Sequence, residues 1–246
     1  MKNDHPNPPE MVFEPTFRAS EIVNLVGRAR PKTNPDLTDA GKKYVRGVWL
    51  RNERGFDVGF DSKYLRKGRD VEPEALNFLA EHYDFGQLLF KNDKRITRDG
   101  LTGEVDALTE KLVVDVKSPY TAETFINADL KRDYEWQLRA YMELFDRPRA
   151  MLAYVLMPMP DDLLADETRK FCWRENIIDP DTLDNAERIA QFQLMFQYDV
   201  NPMFADPTER IKIYMIERDP AKSEIMWEGI QMARDYYKTI KLNMHP

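Results

Sequence analysis

An α/β fold, with a central mixed β-sheet flanked by helices, is predicted by three features of the 246-residue sequence. Apolar residues recur at helical spacing in some segments and as strand-like runs in others, and the two kinds alternate along the chain. Two short runs, Gly103 to Leu108 and Leu112 to Lys117, are separated by Thr109, Glu110 and Lys111 alone, which is hairpin spacing. A third, Ala150 to Met157, is apolar throughout and stopped by Pro158 and Pro160, as suits a strand buried on both faces. No repeat, low-complexity tract or break in composition divides the chain. The expectation is one domain over residues 16–246 behind a proline-rich, flexible arm of residues 1–15.

Arg18 to Val26 reads as a short helix, with Ser20 as its N-cap and Ile22, Val23 and Val26 on one face. Arg28 to Thr38 is a basic, proline-containing loop, and Asp39 to Arg51 looks helical. Asn52 to Gly68 gives weak signals. Val71 to Tyr83 is a clearer helix, with Glu72, Ala75, Leu76, Leu79 and Ala80 at i, i+3, i+4 spacing. The period then becomes that of strands: Phe85 to Lys91 is the first run, and the hairpin supplies the next two. Tyr134 to Phe145 returns to helical spacing. Asp161 to Asp184 is polar and irregular, Ala186 to Tyr198 is an amphipathic helix, Ile211 to Glu217 alternates as a strand, and Ser223 to Ile240 is a long closing helix.

Composition narrows the function. Hydrophobic residues make up 42% and aromatics 11%, enough for a sizeable core, so global disorder is excluded. A lone Cys172 excludes a disulfide framework, a four-cysteine zinc site and a four-cysteine iron–sulfur cluster. The apolar runs fall far short of the roughly 20 residues of a membrane helix, and Met1 to Pro15 lacks the apolar core of a signal peptide. The expectation is an intracellular protein in a reducing compartment. Net charge is −7, but unevenly placed: residues 16–100 carry 17 Lys+Arg against 13 Asp+Glu, and residues 101–246 carry 18 against 27. Taken alone this describes an unevenly charged, solvated surface. It also leaves room for a phosphate partner on the basic half, because binding depends on where the cations lie.

The chemistry concentrates in the hairpin. Residues two apart in a strand share a face, so Asp115 and Lys117 project together while Val114 and Val116 enter the core. Asp106 lies on the partner strand, where it can sit across from them. Two carboxylates and an ammonium crowded there are expensive to desolvate, and a bound cation would remove much of that cost. Asp-x-Lys by itself is a weak signal, met in many solvated hairpins. Here it has company: Glu72 on a preceding helix, in the pattern Gly68-x-x-x-Glu72, and Gln137 and Tyr141 at i, i+4 on a following one.

This order of motifs resembles the PD-(D/E)XK nuclease superfamily, and within it the phage lambda exonuclease or YqaJ-type viral recombination nucleases. The matches are Arg18-Ala19-Ser20, Gly68 to Glu72, Asp106, Asp115-Val116-Lys117-Ser118-Pro119, the helix Trp136-Gln137-Leu138-Arg139-Ala140-Tyr141, and Ile216 to Asp219 leading into the last helix. They span Phe17 to Ile240. Asp115 replaces the commoner glutamate, the stretch Pro158 to Asp184 matches no motif, and the family's further acidic residue falls at Asp93 or Asp99.

The resemblance implies a restriction-endonuclease-like core and a Mg²⁺-dependent deoxyribonuclease, with Mn²⁺ able to substitute. Specifically, it implies a 5′–3′ exonuclease resecting double-stranded DNA ends for phage-type homologous recombination. Asp106, Asp115, the Val116 carbonyl and Glu72 would hold the metal, Lys117 and Gln137 would position or activate water, and Tyr141 would complete the site. Arg18, Ser20 and Arg28 would bind DNA phosphates, with Arg30, Lys32, Lys42, Lys43 and Arg46 nearby. A ring-shaped homotrimer, a single-strand annealing protein as partner, and a cytoplasmic setting in a bacterial host, phage- or prophage-encoded, are implied in the same way. The alternatives are an endonuclease of the same fold and a catalytically silent DNA-binding protein. The complete Asp106, Asp115 and Lys117 set speaks against the silent form.

Overall fold

The structure is a computed structural model that describes residues 14–29, 36–57, 59 and 61–244. Residues 1–13 of the expected arm, and Arg30 and Lys32, lie outside them. Two sheets organise the chain. A small one has the order β1 (Phe17–Arg18), β4 (Leu101–Gly103), β3 (Ile96–Arg98), with β1 and β4 parallel. The larger has the order β2 (Phe90–Lys91), β5 (Ala107–Leu108), β6 (Leu112–Lys117), β7 (Arg149–Val155), β8 (Ile211–Glu217). It is mixed, because β6 and β7 run parallel and the other pairs are antiparallel.

The parallel β6–β7 centre is covered on both sides. On one, α2 (Lys63–His82) packs Val71, Ala75, Leu76 and Leu79 against Val114, Val116, Met151 and Ala153. On the other, α4 (Arg132–Phe145) lies beneath the larger core, which also takes in a 3₁₀ helix (Ala19–Leu25), α1 (Asp39–Arg54) and α7 (Pro220–Met244). The 3₁₀ helix and α7 approach so closely that a Cβ on Gly229 would overlap the Leu25 carbonyl oxygen. No larger residue fits there without moving a helix.

Several expectations are corrected. The short helix expected over Arg18 to Val26 is the 3₁₀ helix Ala19–Leu25, whose N-cap is Arg18, not Ser20, and Ser20 makes no capping bond. The helix expected from Val71 starts at Lys63, where the Ser62 hydroxyl accepts the Leu65 N–H. Pro73 sits inside it; the carbonyl it leaves without a donor belongs to Arg69, on the exposed face where water can substitute. Gly103 to Leu108 is two strands in two sheets, separated by Glu104 to Asp106. Of Phe85 to Lys91 only the last two residues pair, while β3 gives no apolar signal and was not expected.

Asp161 to Asp184 is mostly ordered as α5 (Asp161–Arg174), followed by α6 (Leu183–Leu194). Helix α5 buries Leu163 alone, so it has no apolar stripe to read. It is supported by Asp161 and Asp162 in its first turn, Arg174 in its last, and Asp166–Arg169 and Glu167–Lys170 pairs. A short α3 (Ala122–Ile126) with a capping box follows β6.

Candidate active site

The hairpin register Ala107↔Val114 sets Asp106 opposite Asp115, on the α4 side of the sheet. Asp106 lies just before β5, where the chain crosses between sheets, and its Oδ2 accepts the Val116 N–H at 2.6 Å. Asp115 is 2% exposed. Its Oδ1 accepts from Gln137 Nε2 at 3.3 Å, and Gln137 also reaches the Tyr141 hydroxyl at 2.9 Å. Lys117 Nζ stands 2.6 Å from Asp115 Oδ2 and 5.6 Å from the Tyr134 ring. That ammonium is the one polar partner of Oδ2, which is buried, among the described residues.

The electrostatics follow from the crowding. Burial and then the Asp115 charge raise the Asp106 pKa well above the carboxylate range; Lys117 and the Val116 N–H only partly oppose them. Burial works against charge on Lys117, but Asp115 and Asp106 outweigh it and keep the ammonium protonated. Burial holds the Tyr141 phenol neutral, reinforced by the Asp115 charge.

A cavity of about 870 Å³ opens beside this cluster. Val116 and Lys117 line it, with Gly68 and Glu72 on the α2 wall, and tyrosines 64, 120, 134 and 154 around it. Arg69, Lys117 and Lys131 face it against the single carboxylate of Glu72, a balance that favours an anion.

The motif residues Asp106, Asp115, Lys117, Gln137 and Tyr141 are therefore brought together, and Glu72 borders the same cavity. Glu72 is exposed and stands apart: among the described residues no three His, Cys, Asp or Glu side chains converge closely enough to hold an ion. A cation here would rest on Asp106, Asp115 and the Val116 carbonyl. The two facing carboxylates, set against one ammonium, fit that role, with hard oxygen donors suited to Mg²⁺.

Arg18 and Ser20 are exposed and flank Ala19, whose Cβ would lie 3.0 Å from a Cβ on Gly103. Tyr141 Cε1 would lie 2.9 Å from the same point, so this element reaches the tyrosine of the site through the gap that Gly103 leaves. Arg28 is placed elsewhere. Its guanidinium donates to the Leu25 and Ile225 carbonyls at 3.0 and 2.8 Å and pairs with Glu228, fastening the 3₁₀ helix to α7. Asp93 and Asp99 are exposed, and Asp99 is a turn residue at φ 51°. The motifs did not single out Gly103 for its packing, nor Lys131 and the tyrosines of the cavity. Small size at a crowded crossing, and aromatic residues scattered over four elements, leave no spacing to recognise.

A mixed sheet with an acidic hairpin at its centre, a glutamate helix on one face and a glutamine–tyrosine helix on the other defines a restriction-endonuclease-like fold. Solved structures agree. The chain is similar to a phage-related exonuclease from Haemophilus somnus 129PT, at 22% identity over 94% of this chain and 97% of that one, with a TM-score of 0.73. It is also similar to the alkaline exonuclease LHK-Exo from Laribacter hongkongensis, at 14% identity over 93% of each chain with a TM-score of 0.56. A complex of LHK-Exo with dAMP gives 16% identity, 92% and 90% coverage and a TM-score of 0.57. No family model matches the sequence, and no curated protein matches it. The chain has the fold of these exonucleases. Among its described residues no helix is long and apolar enough to cross a membrane.

Proposed function

We propose that this protein is a Mg²⁺-dependent deoxyribonuclease, a 5′–3′ exonuclease that resects double-stranded DNA ends in phage-type recombination. The observation that carries the hydrolytic reading is the buried Asp106–Asp115–Lys117 cluster, two carboxylates against one ammonium, beside a cavity that Arg69, Lys131 and four tyrosines help to line. Asp106, Asp115 and the Val116 carbonyl would hold the metal, which when bound neutralises charge at the scissile phosphate and acidifies its water. Lys117, held protonated, serves as a donor and positive charge toward a phosphate oxygen or the attacking water rather than as a resident base. Gln137 fixes the Asp115 carboxylate and is itself held by Tyr141. Tyr64, exposed, and Tyr134, half-buried, offer stacking surfaces to bases without reading sequence, as an end-resecting enzyme requires. The named activity of the similar structures and the dAMP complex support this reading. Polarity, the homotrimer, the annealing partner and the phage setting rest on the sequence resemblance.

The test is digestion of a linear duplex and its closed-circular counterpart with Mg²⁺ or EDTA, by wild type and Lys117→Ala. Loss of the linear DNA alone, only with Mg²⁺ and only by wild type, is expected. Cutting of the circle would indicate an endonuclease, and binding without cutting a silent DNA-binding protein. Substrates blocked at one strand terminus then report polarity.

A further inference from the structure

Lys67 is one of the larger side chains without exposed surface, and the catalytic reading makes no use of it. A buried ammonium is expensive unless something answers it. Among the described residues it makes no ion pair; its Nζ donates to the carbonyls of Pro119 at 2.8 Å and Tyr120 at 3.1 Å. It also lies 5.9 Å from the Tyr120 ring centre and 5.8 Å from that of Tyr198. Burial lowers its pKa to about 7. A methionine would fill similar space without that cost. What the lysine adds is the pair of hydrogen bonds.

Their location gives them meaning. Pro119 and Tyr120 follow Lys117 by two and three residues, and with Ser118 they line the cavity. Lys67 precedes Gly68 on α2, the helix that carries Glu72 on the same cavity wall. The loop is tied at a second point, where the Tyr120 hydroxyl donates to Glu167 Oε1 at 2.9 Å, an oxygen that Lys63 also holds at 2.9 Å. That tie fixes the side chain of Tyr120; the backbone leaving β6 is held by Lys67.

We propose that Lys67 is a positioning residue: through the Pro119 and Tyr120 carbonyls it fixes the exit of β6, and so the Lys117 ammonium, against the α2 wall that bears Glu72. The proposal rests on the nuclease reading. With no exposed surface, Lys67 cannot touch DNA, so it acts through chain geometry. Misplacing a reacting group by about 1 Å can lower a rate by about 10²-fold without changing what binds.

The experiment measures Mg²⁺-dependent degradation of linear duplex (kcat and KM), duplex affinity in EDTA and thermal unfolding, for wild type, Lys67→Met and Lys67→Arg. Lys67→Met is expected to lower kcat by at least about tenfold, with KM and duplex affinity within about twofold of wild type. Lys67→Arg, which restores the donors, is expected to recover most of the loss. Three results would overturn the proposal: undiminished kcat in Lys67→Met, equal losses of kcat and duplex affinity as a merely structural role would give, or no recovery by Lys67→Arg. Should Lys67→Met fail to fold, Lys67→Gln takes its place under the same criteria. A wild type that cuts nothing would remove the nuclease reading and this proposal together, whereas an active wild type with an equally active Lys67→Met removes this proposal alone.

Discussion

On the α2 face of β6, Val114 and Val116 pack among Leu76, Leu79 and Met151, whereas on the α4 face Asp115 lies behind Lys117 against Gln137 and Tyr141. Both faces of this six-residue strand are covered, and alternate residues feel opposite physics. The valines gain stability from burial. The aspartate is buried with its charge answered by Lys117 and Gln137, beside a second carboxylate whose charge burial already disfavours. A strand selected for stability alone would carry an apolar residue at 115. This surplus of carboxylate charge on the polar face is what the proposed cation site rests on.

Substitutions on the two faces should therefore separate activity from stability. The largest effect is expected from Asp115→Asn: cleavage of linear duplex falls by about 10³-fold, while the unfolding temperature in EDTA stays level or rises. A lowered unfolding temperature together with retained cleavage would show that Asp115 is structural. Val114→Ala on the opposite face should do the reverse, costing about 2 kcal/mol of stability with kcat per folded molecule unchanged, as denaturant titration alongside active-site-normalised kinetics will show.

Asp106→Asn sharpens the contrast through pH. The folded pKa of Asp106 is raised above its unfolded value, so its contribution to stability is full below the unfolded carboxylate pKa and is lost as pH rises through the folded one. Asparagine can still accept the Val116 N–H without the charge. In EDTA, Asp106→Asn should raise the unfolding temperature above neutrality by about 2–4 °C, and the gain should vanish as pH falls toward 4. A gain independent of pH would contradict the assignment. Arg28→Ala should have the smallest effect, leaving duplex affinity within about twofold, because Arg28 is bound to α7 rather than facing the cavity. A steep loss of affinity would return Arg28 to the DNA-binding surface.

Much of this was legible in the sequence where one period dominates a segment. Ile211–Glu217 and Leu112–Lys117 form strands at the expected bounds, and Gln137 and Tyr141 share one helix face as the i, i+4 spacing implied. The failures have local causes. Helix α5 carries its polar residues all round and hides its period, the first turns of α2 from Lys63 are mostly polar and show no apolar spacing, and Gly103 to Leu108 reads as one strand because a crossing between sheets leaves the apolar pattern intact. Within the site, Asp106, Asp115 and Lys117 could be read because strand register fixes their neighbours. Arg28 could not, since a basic loop residue can turn to either side, and its carbonyl partner in α7, Ile225, lies 197 residues away in sequence. Lys67 gave no signal either: a lysine on a helix is read as exposed until its surroundings are known.

Thermal unfolding with increasing Mg²⁺, comparing wild type with Asp115→Asn, tests most directly whether the polar face of β6 is a cation site. A wild type whose unfolding temperature climbs with Mg²⁺, by about 2.7 kcal/mol of stability at a hundredfold excess over Kd, and an Asp115→Asn protein that does not respond, is the expected result. An equal response in the two proteins, or none in either, would contradict the assignment of Asp106 and Asp115 as metal ligands.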